Sequence, residues 1–356
     1  MIKYLGSKRR LVPVLGELAC RAGARTALDL FTGTTRVAQE FKRAGATVTA
    51  VDTARYSDVF AQTWIALDAE RLTDVERREL ADAIAELDAL PGEPGYVTET
   101  FCERARFFQP HNGARIDAIR ARIARDHAGT WRAPVLLTAL LLAADRVDST
   151  TGVQMAYVKQ WAPRSFRPLE LRLPELLPGG GTAVRADATA AAATLGHFDL
   201  AYLDPPYNQH RYFTNYHVWE TLVAGDQPEH YGVACKRIDA RDDSTKSVFN
   251  RKREMPEALA ATIAAVDADV VVVSYNDESW LTLAELEAMC AAHASVVSLA
   301  FESKRYVGAQ IGIHNPAGER VGSVGRLRNQ EYLVIAGSAA AVAHLVEPFR
   351  NHVVVR

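Results

Sequence analysis

The sequence contains no run of about 18 apolar residues, the length a helix needs to cross a bilayer, so no membrane span is expected. Its first residues, Met1-Ile2-Lys3-Tyr4-Leu5-Gly6-Ser7-Lys8, lack the apolar stretch of a secretory signal. Cysteine is scarce. Cys20, Cys102, Cys235 and Cys290 lie far apart, without the paired spacing of a zinc site or a disulfide framework. That scarcity argues against a zinc site or disulfide framework, so no metal site is expected, and points to a reducing, cytoplasmic setting. Positive charge is not in excess either: 41 Lys and Arg stand against 43 Asp and Glu, a formal net charge of −2. Phosphate neutralisation supplies much of the affinity of any nucleic-acid binder, so such a role would need locally concentrated charge.

Three stretches offer that concentration. They are 104–132, with Arg115 and Arg122 among its arginines; 236–253, with Lys246, Arg251 and Arg253; and 304–328. Taken alone, each is more often a solvated face than a binding surface. Hydrophobic content of 48% and charged content of 24% are those of an ordinary globular protein. At 356 residues, the chain suits a core domain plus one insert.

Arg25-Thr26-Ala27-Leu28-Asp29-Leu30 reads as a short buried strand ending in an acid, and Phe31-Thr32-Gly33-Thr34-Thr35 turns from it into an amphipathic helix over about 36–44. Ala46-Thr47-Val48-Thr49-Ala50-Val51 is a second strand, ending at Asp52. Together they form the βαβ opening of a doubly wound sheet. From Tyr56 to about Leu177 the chain has helical spacing and no convincing strand. Strands resume at 182–185, near Asp187, and at Phe198-Asp199-Leu200-Ala201-Tyr202-Leu203, which ends at Asp204. The strongest strand is 269–274, and 296–301 with 332–335 form a late pair joined by a Gly-rich excursion. Helices over about 212–224, 256–266 and 279–292 separate them.

The expected fold is therefore α/β. It has a Rossmann-like, mostly parallel sheet with an antiparallel C-terminal hairpin, formed by 1–55 and 180–356, and a mainly helical insert at 56–179.

Asp204-Pro205-Pro206-Tyr207 is the most informative tetrapeptide. It follows an apolar strand, at the end of the sheet where ligands of open α/β folds bind. Two prolines make the loop stiff and extended. A carboxylate and a neighbouring carbonyl can accept both hydrogens of an exocyclic amine, while Tyr207 stacks on the attached ring. That geometry aligns the nitrogen for in-line attack on a sulfonium methyl, a reaction in which positioning supplies much of the catalysis.

Asp-Pro-Pro-Tyr after Leu-Ala-Tyr-Leu, Tyr4-Leu5-Gly6-Ser7-Lys8 at the start and Asp29-Leu30-Phe31-Thr32-Gly33-Thr34 between them resemble the Dam-like adenine-specific DNA methyltransferases. The resemblance covers roughly 1–55 and 180–340 and includes the order of the motifs; the insert matches in position alone. It implies S-adenosyl-L-methionine as cofactor, double-stranded DNA as substrate and methyl transfer to N6 of a flipped-out adenine. It further implies a restriction–modification or phage setting, with a cognate restriction endonuclease as a functional rather than physical partner. Carried onto this sequence, Tyr4 and Lys8 contact the cofactor, Lys8 meeting its methionyl carboxylate. Asp29, Phe31 and Gly33 lie beneath the methionine moiety, Asp52 binds the ribose hydroxyls, and Asp187 sits near the cofactor adenine. Asp204 serves both the cofactor side and the target amine, with Pro205, Pro206 and Tyr207 completing the catalytic loop. Tyr212, Phe213 and Tyr216 are candidates for stacking on the extracted base, whereas His217 and Trp219 read as packing residues.

One departure stands out: the family commonly has a second glycine where this chain has Thr35, and a threonine crowds a tight turn. Two substitutions of chemistry are excluded or disfavoured. Cytosine C5 methylation uses a nucleophilic cysteine in a Pro-Cys pair, and none of the four cysteines follows a proline. Cytosine-N4 enzymes more often carry Ser or Thr where Asp204 stands. DNA recognition is expected in 56–179, with Arg115 and Arg122, and in a phosphate-gripping loop over 236–253. The residues leave open a cytosine-N4 or RNA amino-methyltransferase and, in another class, a catalytically silent DNA-binding regulator.

Overall fold

A computed structural model describes residues 2–6, 8–155, 160–206, 209, 211–304, 313–314, 320–322 and 328–355, with side chains of 303–328 excluded. Its centre is a seven-stranded sheet: β1 (Thr26–Asp29), β2 (Thr47–Asp52), β3 (Gly181–Arg185), β4 (His197–Leu203), β5 (Asp267–Asn276), β6 (Ser295–Lys304) and β7 (Arg328–Gly337). The strands lie in the order β3-β2-β1-β4-β5-β7-β6. The first five are parallel, with Leu28 opposite both Thr49 and Ala201 in register. β7 runs antiparallel to β5 and β6. The late pair is thus the expected antiparallel hairpin, inserted with β7 between β5 and the edge.

The strands are apolar because both faces are covered. One core packs Val48, Ala50, Tyr202, Val270 and Val272 beneath α1 (Val12–Ala22) and α2 (Arg36–Arg43). The other packs Leu28, Val51, Ala201 and Val271 beneath α7 (Ala188–Ala192), α10 (Met255–Ala265) and α11 (Leu283–Met289). The helices after β2 are α3 (Arg55–Ala61), α4 (Asp74–Asp88), α5 (Pro110–Asp126) and α6 (Arg132–Val147). Their apolar residues, among them Phe60, Leu80, Ile119 and Leu140, join the first core rather than forming one apart. Among the described residues between Asp148 and the start of β3, the named element is a short turn at Pro163–Phe166.

Two expected helices are shorter or interrupted. Thr282 and Glu285 form a reciprocal capping box, so the helix expected over 279–292 begins only at Leu283. The helix expected over 212–224 breaks at Tyr216, whose φ of −124° is not helical, into α8 (Tyr212–Asn215) and α9 (His217–Ala224). α8 thereby carries Tyr212 and Phe213, and α9 carries Glu220, to one cavity. Among the described residues no helix is long and apolar enough to cross a membrane.

Candidate active site

The carboxyl ends of β1, β2, β3 and β4 open into a cavity of about 570 Å³, within the usual ligand range of about 300–1,000 Å³. Its wall includes Tyr4, Lys8, Asp29, Phe31, Gly33, Asp52, Asp187, Asp204 and Pro206. The fold thus brings every expected cofactor residue to one place. Pro205 is buried behind Asp204, and Tyr207 lies outside the described residues.

Asp29 ends β1 and is 1% exposed. One oxygen accepts from the Thr32 hydroxyl at 2.9 Å and the Ala38 N–H at 3.1 Å. The other, Oδ1, is buried without a hydrogen-bond partner. Burial pushes this carboxyl up to about 7, against the pull of those two donors. An orphaned carboxylate oxygen on a cavity wall is a waiting acceptor. It suits the ammonium of an amino-acid moiety, so the wall fits an S-adenosylmethionine-like group.

Asp52 ends β2 and is raised by burial as well, with the Ala54 and Gly33 amides opposing. It takes the Gly33 N–H at 2.8 Å and the Ala54 N–H at 3.0 Å, so it also fixes the loop that connects β1 to α2. Gly33 has φ +52°, and a Cβ there would come within 3.1 Å of the Tyr4 ring. Glycine is favoured twice over at this position, by conformation and by close approach. Thr35, at the family's second-glycine position, adopts the left-handed region with φ +60° and ψ 14°. The turn does demand the conformation that glycine takes freely. Threonine holds it while fully buried, its hydroxyl receiving the Gln39 side-chain N–H at 2.9 Å. Asp187 closes the far side, exposed and capping α7 through the N–H groups of Thr189 and Ala190. Phe31 packs edge-on against Phe249 with centroids 5.0 Å apart.

Lys8 has a partner within the chain. It is 5% exposed, and its Nζ lies 3.0 Å from Asp204 Oδ1. Burial raises the Asp204 carboxyl to about 6, with Lys8 restraining the rise. Above that value Asp204 is an anion, able to accept hydrogens but not to donate one.

The aromatic residues after the catalytic loop divide. Tyr212 and Phe213 line the cavity. Tyr216 does not: it is 1% exposed, stacks on Tyr4 at 4.7 Å and accepts the Leu5 N–H at 2.7 Å through its hydroxyl. Its role is to anchor the N-terminal segment. His217 and Trp219 are packing residues as expected, at 0% and 1% exposure.

The basic stretches are less uniform than their composition. Arg115 lies outside the cavity, its guanidinium tied to Asp88 and to the Leu169 carbonyl, which makes it a brace between helices rather than a free cation. Arg122 pairs with Asp126 at 3.4 Å, one helical turn on. Arg237 is 2% exposed between Asp226 and Asp239. Lys246 reaches the cavity wall but bonds Asp243 at 2.6 Å. Arg251, 3.0 Å from Glu254, and Arg253 are exposed. The third stretch, 304–328, falls outside the residues whose side chains are described.

Sequence reasoning missed several wall residues. Glu220, Arg36 and Arg55 line the cavity, as does the 239–250 segment with Phe249, which the sequence suggests only as part of a phosphate-gripping loop. A buried glutamate inside an apolar helix, Val218-Trp219-Glu220-Thr221-Leu222, was the available signal for Glu220.

Residues 4–289 match the family of D12 class N6 adenine-specific DNA methyltransferases. The chain is 27% identical over 305 residues to type II methyltransferase M.NlaIII of Neisseria lactamica, covering 80% of this chain and 86% of that one. It is 31% identical over 224 residues to type II methyltransferase M.CviAII of Paramecium bursaria Chlorella virus 1, covering 60% of this chain and 64% of that one. Against type II methyltransferase M.FokI of Planomicrobium okeanokoites it is 26% identical over 310 residues, covering 82% of this chain but 47% of the relative. With a family match that spans most of its length and the motif residues gathered at one cavity, the chain belongs to the D12 class of N6 adenine-specific DNA methyltransferases.

Proposed function

We propose that this chain methylates N6 of an adenine swung out of double-stranded DNA at a specific sequence, with S-adenosyl-L-methionine as donor. The observation that carries the reading is the convergence on one cavity of Asp204, Asp29 with its unfilled Oδ1, and Asp52. When bound, the cofactor supplies an electrophilic sulfonium methyl. Asp29 Oδ1 accepts from the amino group of its methionine part, with Phe31 and Gly33 forming the floor. Asp52 receives the ribose hydroxyls, and Asp187 borders the adenine side. Tyr4 closes the wall on which Gly33 rests.

Asp204, ionised above about pH 6, and the Pro205 carbonyl accept the hydrogens of the target amine, orienting its lone pair. Tyr207 stacks on the base. No base has to remove a proton before attack, because the nitrogen becomes acidic only after it gains the methyl. Lys8 holds the negative charge on Asp204 in place, at 3.0 Å.

Sequence choice is assigned to 56–179 as the target-recognition region, since specificity needs groups that reach base edges. The exposed Arg251 and Arg253 grip phosphates. Replacing both by Ala weakens DNA binding about equally across sequences and flattens its salt dependence, leaving cofactor affinity intact. The type II names of the relatives favour a restriction–modification role, with an endonuclease that reads the same site.

Incubation with duplex DNA, then with RNA, in the presence of methyl-labelled cofactor and nucleoside mass spectrometry tests the reading. N6-methyladenine in DNA is expected. N4-methylcytosine or label confined to RNA selects the other amino-methyltransferases. No transfer to any nucleic acid, with cofactor bound, favours the silent regulator.

A further inference from the structure

The ribose-side wall of the cavity, residues 52–55, leads directly into α3, and α3 has no cap of its own. Its N-cap residue is Ala54, which has no side-chain acceptor to offer. The first amide of the helix is satisfied from elsewhere. Glu220 Oε1, on α9, accepts the Arg55 N–H at 2.8 Å across 165 residues of sequence. The carboxylate is 1% exposed, and the Tyr56 amide also stabilises its charged form. Glu220 itself borders the cavity, beside Thr53, Ala54 and Arg55.

Glu220 lies in the first turn of α9, which directly follows the anchor of a second wall. Tyr216, four residues earlier and at the start of that helix, takes the Leu5 N–H and stacks on Tyr4. The first turn of α9 and the residue that caps it therefore hold both the ribose-side loop and the N-terminal segment, and α9 follows the catalytic loop and α8 in the chain. A shift in α9 would be transmitted to both.

We infer that Glu220 is a positioning residue for cofactor binding: by holding the Arg55 amide it fixes the loop at Asp52–Arg55 in register with the helix that follows the catalytic loop. The inference rests on the cofactor assignment above. It asks for no contact between Glu220 and the reacting atoms. Its ionisation matters, since an anion is a stronger acceptor at a helix amino end than a neutral acid. Burial pushes Glu220 up to about 7. The charged groups around it are Arg55 and Arg237, with the neutral phenol of Tyr56 beside it and Asp52 at the head of the same loop.

The experiment uses the full chain and two readouts, calorimetric binding of S-adenosylmethionine and amide hydrogen exchange without cofactor. Glu220→Ala is expected to weaken binding about tenfold, as loss of a charged hydrogen bond would. It should leave kcat at saturating cofactor within about twofold, because only binding is affected, and should speed exchange at Arg55–Ser57. Glu220→Gln keeps an acceptor, so at pH 8 it should bind within about threefold of the parent. The parent should lose more affinity than this variant between pH 8 and pH 6, a difference that isolates Glu220 from the other carboxyls titrating there. Should Glu220→Ala fail to fold, Glu220→Asp, one methylene too short to reach, takes its place with the same expected loss. Parent-like binding or unchanged exchange in the Ala or Asp variant overturns the inference, as does a Gln variant as weak as Ala. If the parent binds no cofactor, it is the cofactor assignment that fails, and the exchange data alone decide whether Glu220 holds the loop.

Discussion

The two ends of one sheet treat the same side chains in opposite ways. At the carboxyl ends, Asp29, Asp52 and Asp204 face a cavity, and burial raises all three. At the amino ends, Asp199 on β4 is fixed by the N–H groups of Arg25 and Thr26, both at 2.8 Å, which hold its carboxyl below the usual range. Beside it, exposed His197 is raised through its hydrogen bond to Asp267 at 2.9 Å. The contrast lies in what solvates the charge. Water and backbone amides satisfy the amino-end groups, whereas the carboxyl-end groups are stripped of water and keep capacity for a ligand. Stability is concentrated at one end and binding at the other.

The comparison would break first at Asp204. Asp204→Ala should lower methyl transfer by about 100-fold or more, the scale of removing one oriented polar group from a reacting centre, measured with labelled cofactor at saturation. In the parent, kcat should fall as the pH drops through about 6, because the protonated carboxyl is a weaker acceptor for the amine's hydrogen and presents an O–H donor of its own.

Asp29→Asn should separate binding from stability. Cofactor affinity should be lost, since the amide presents a donor where the ligand's ammonium needs an acceptor. Yet the fold should gain. Moving the carboxyl from 3.8 to about 7 corresponds to roughly 4 kcal/mol of unfavourable burial of the anion at high pH. An orphaned amide N–H takes back about 1–3 kcal/mol of that. The folded state binds the Asp29 proton more tightly than the unfolded state, so the parent is stabilised as the pH falls from about 7 toward 3.8 and loses that stability as the pH rises. The variant's advantage in denaturant titrations should therefore be present at pH 8 and shrink at pH 5. A variant less stable than the parent at pH 8 would contradict the account of this end of the sheet.

Gly33→Ala should cost about 1–2 kcal/mol from its positive φ, and its Cβ would press on the Tyr4 ring. Weaker cofactor binding together with a lower melting temperature is the expected result. The smallest effect belongs to the amino end. Asp199→Asn should lower stability by about 1 kcal/mol, one hydrogen bond's net worth, with cofactor affinity and methyl transfer unchanged. A loss of activity there would erase the distinction between the two ends.

Much of the carboxyl end was legible because its signal is local. A short apolar strand closing on an acid places that acid at the rim of a parallel sheet, and Asp29, Asp52 and Asp204 each follow the pattern. The tight turn announced itself through Gly33, and Thr35 marked a real demand for a left-handed residue. What escaped notice depends on distant partners. The arginines of 104–132 look alike in sequence, yet Arg115 braces Asp88 and Leu169 while Arg120 holds the carbonyls of Leu222 and Val223. Tyr216 looked like a stacking residue because an aromatic side chain beside a catalytic loop does not disclose which way its helix is turned.

The sequence by itself determined the chemistry offered and the sheet that offers it: an acid at three strand ends, a stiff Asp-Pro-Pro loop, glycine at the turn and no Pro-Cys pair for C5 chemistry. These follow from side-chain type and periodicity over a few residues. Only the tertiary structure decided which charges are spent. It paired Lys8 with Asp204, left Asp29 Oδ1 without a donor, and brought Glu220 to the Arg55 amide. The two contacts join segments far apart in the chain, the orphaned oxygen follows from packing that excludes water, and none of the three is written in local sequence.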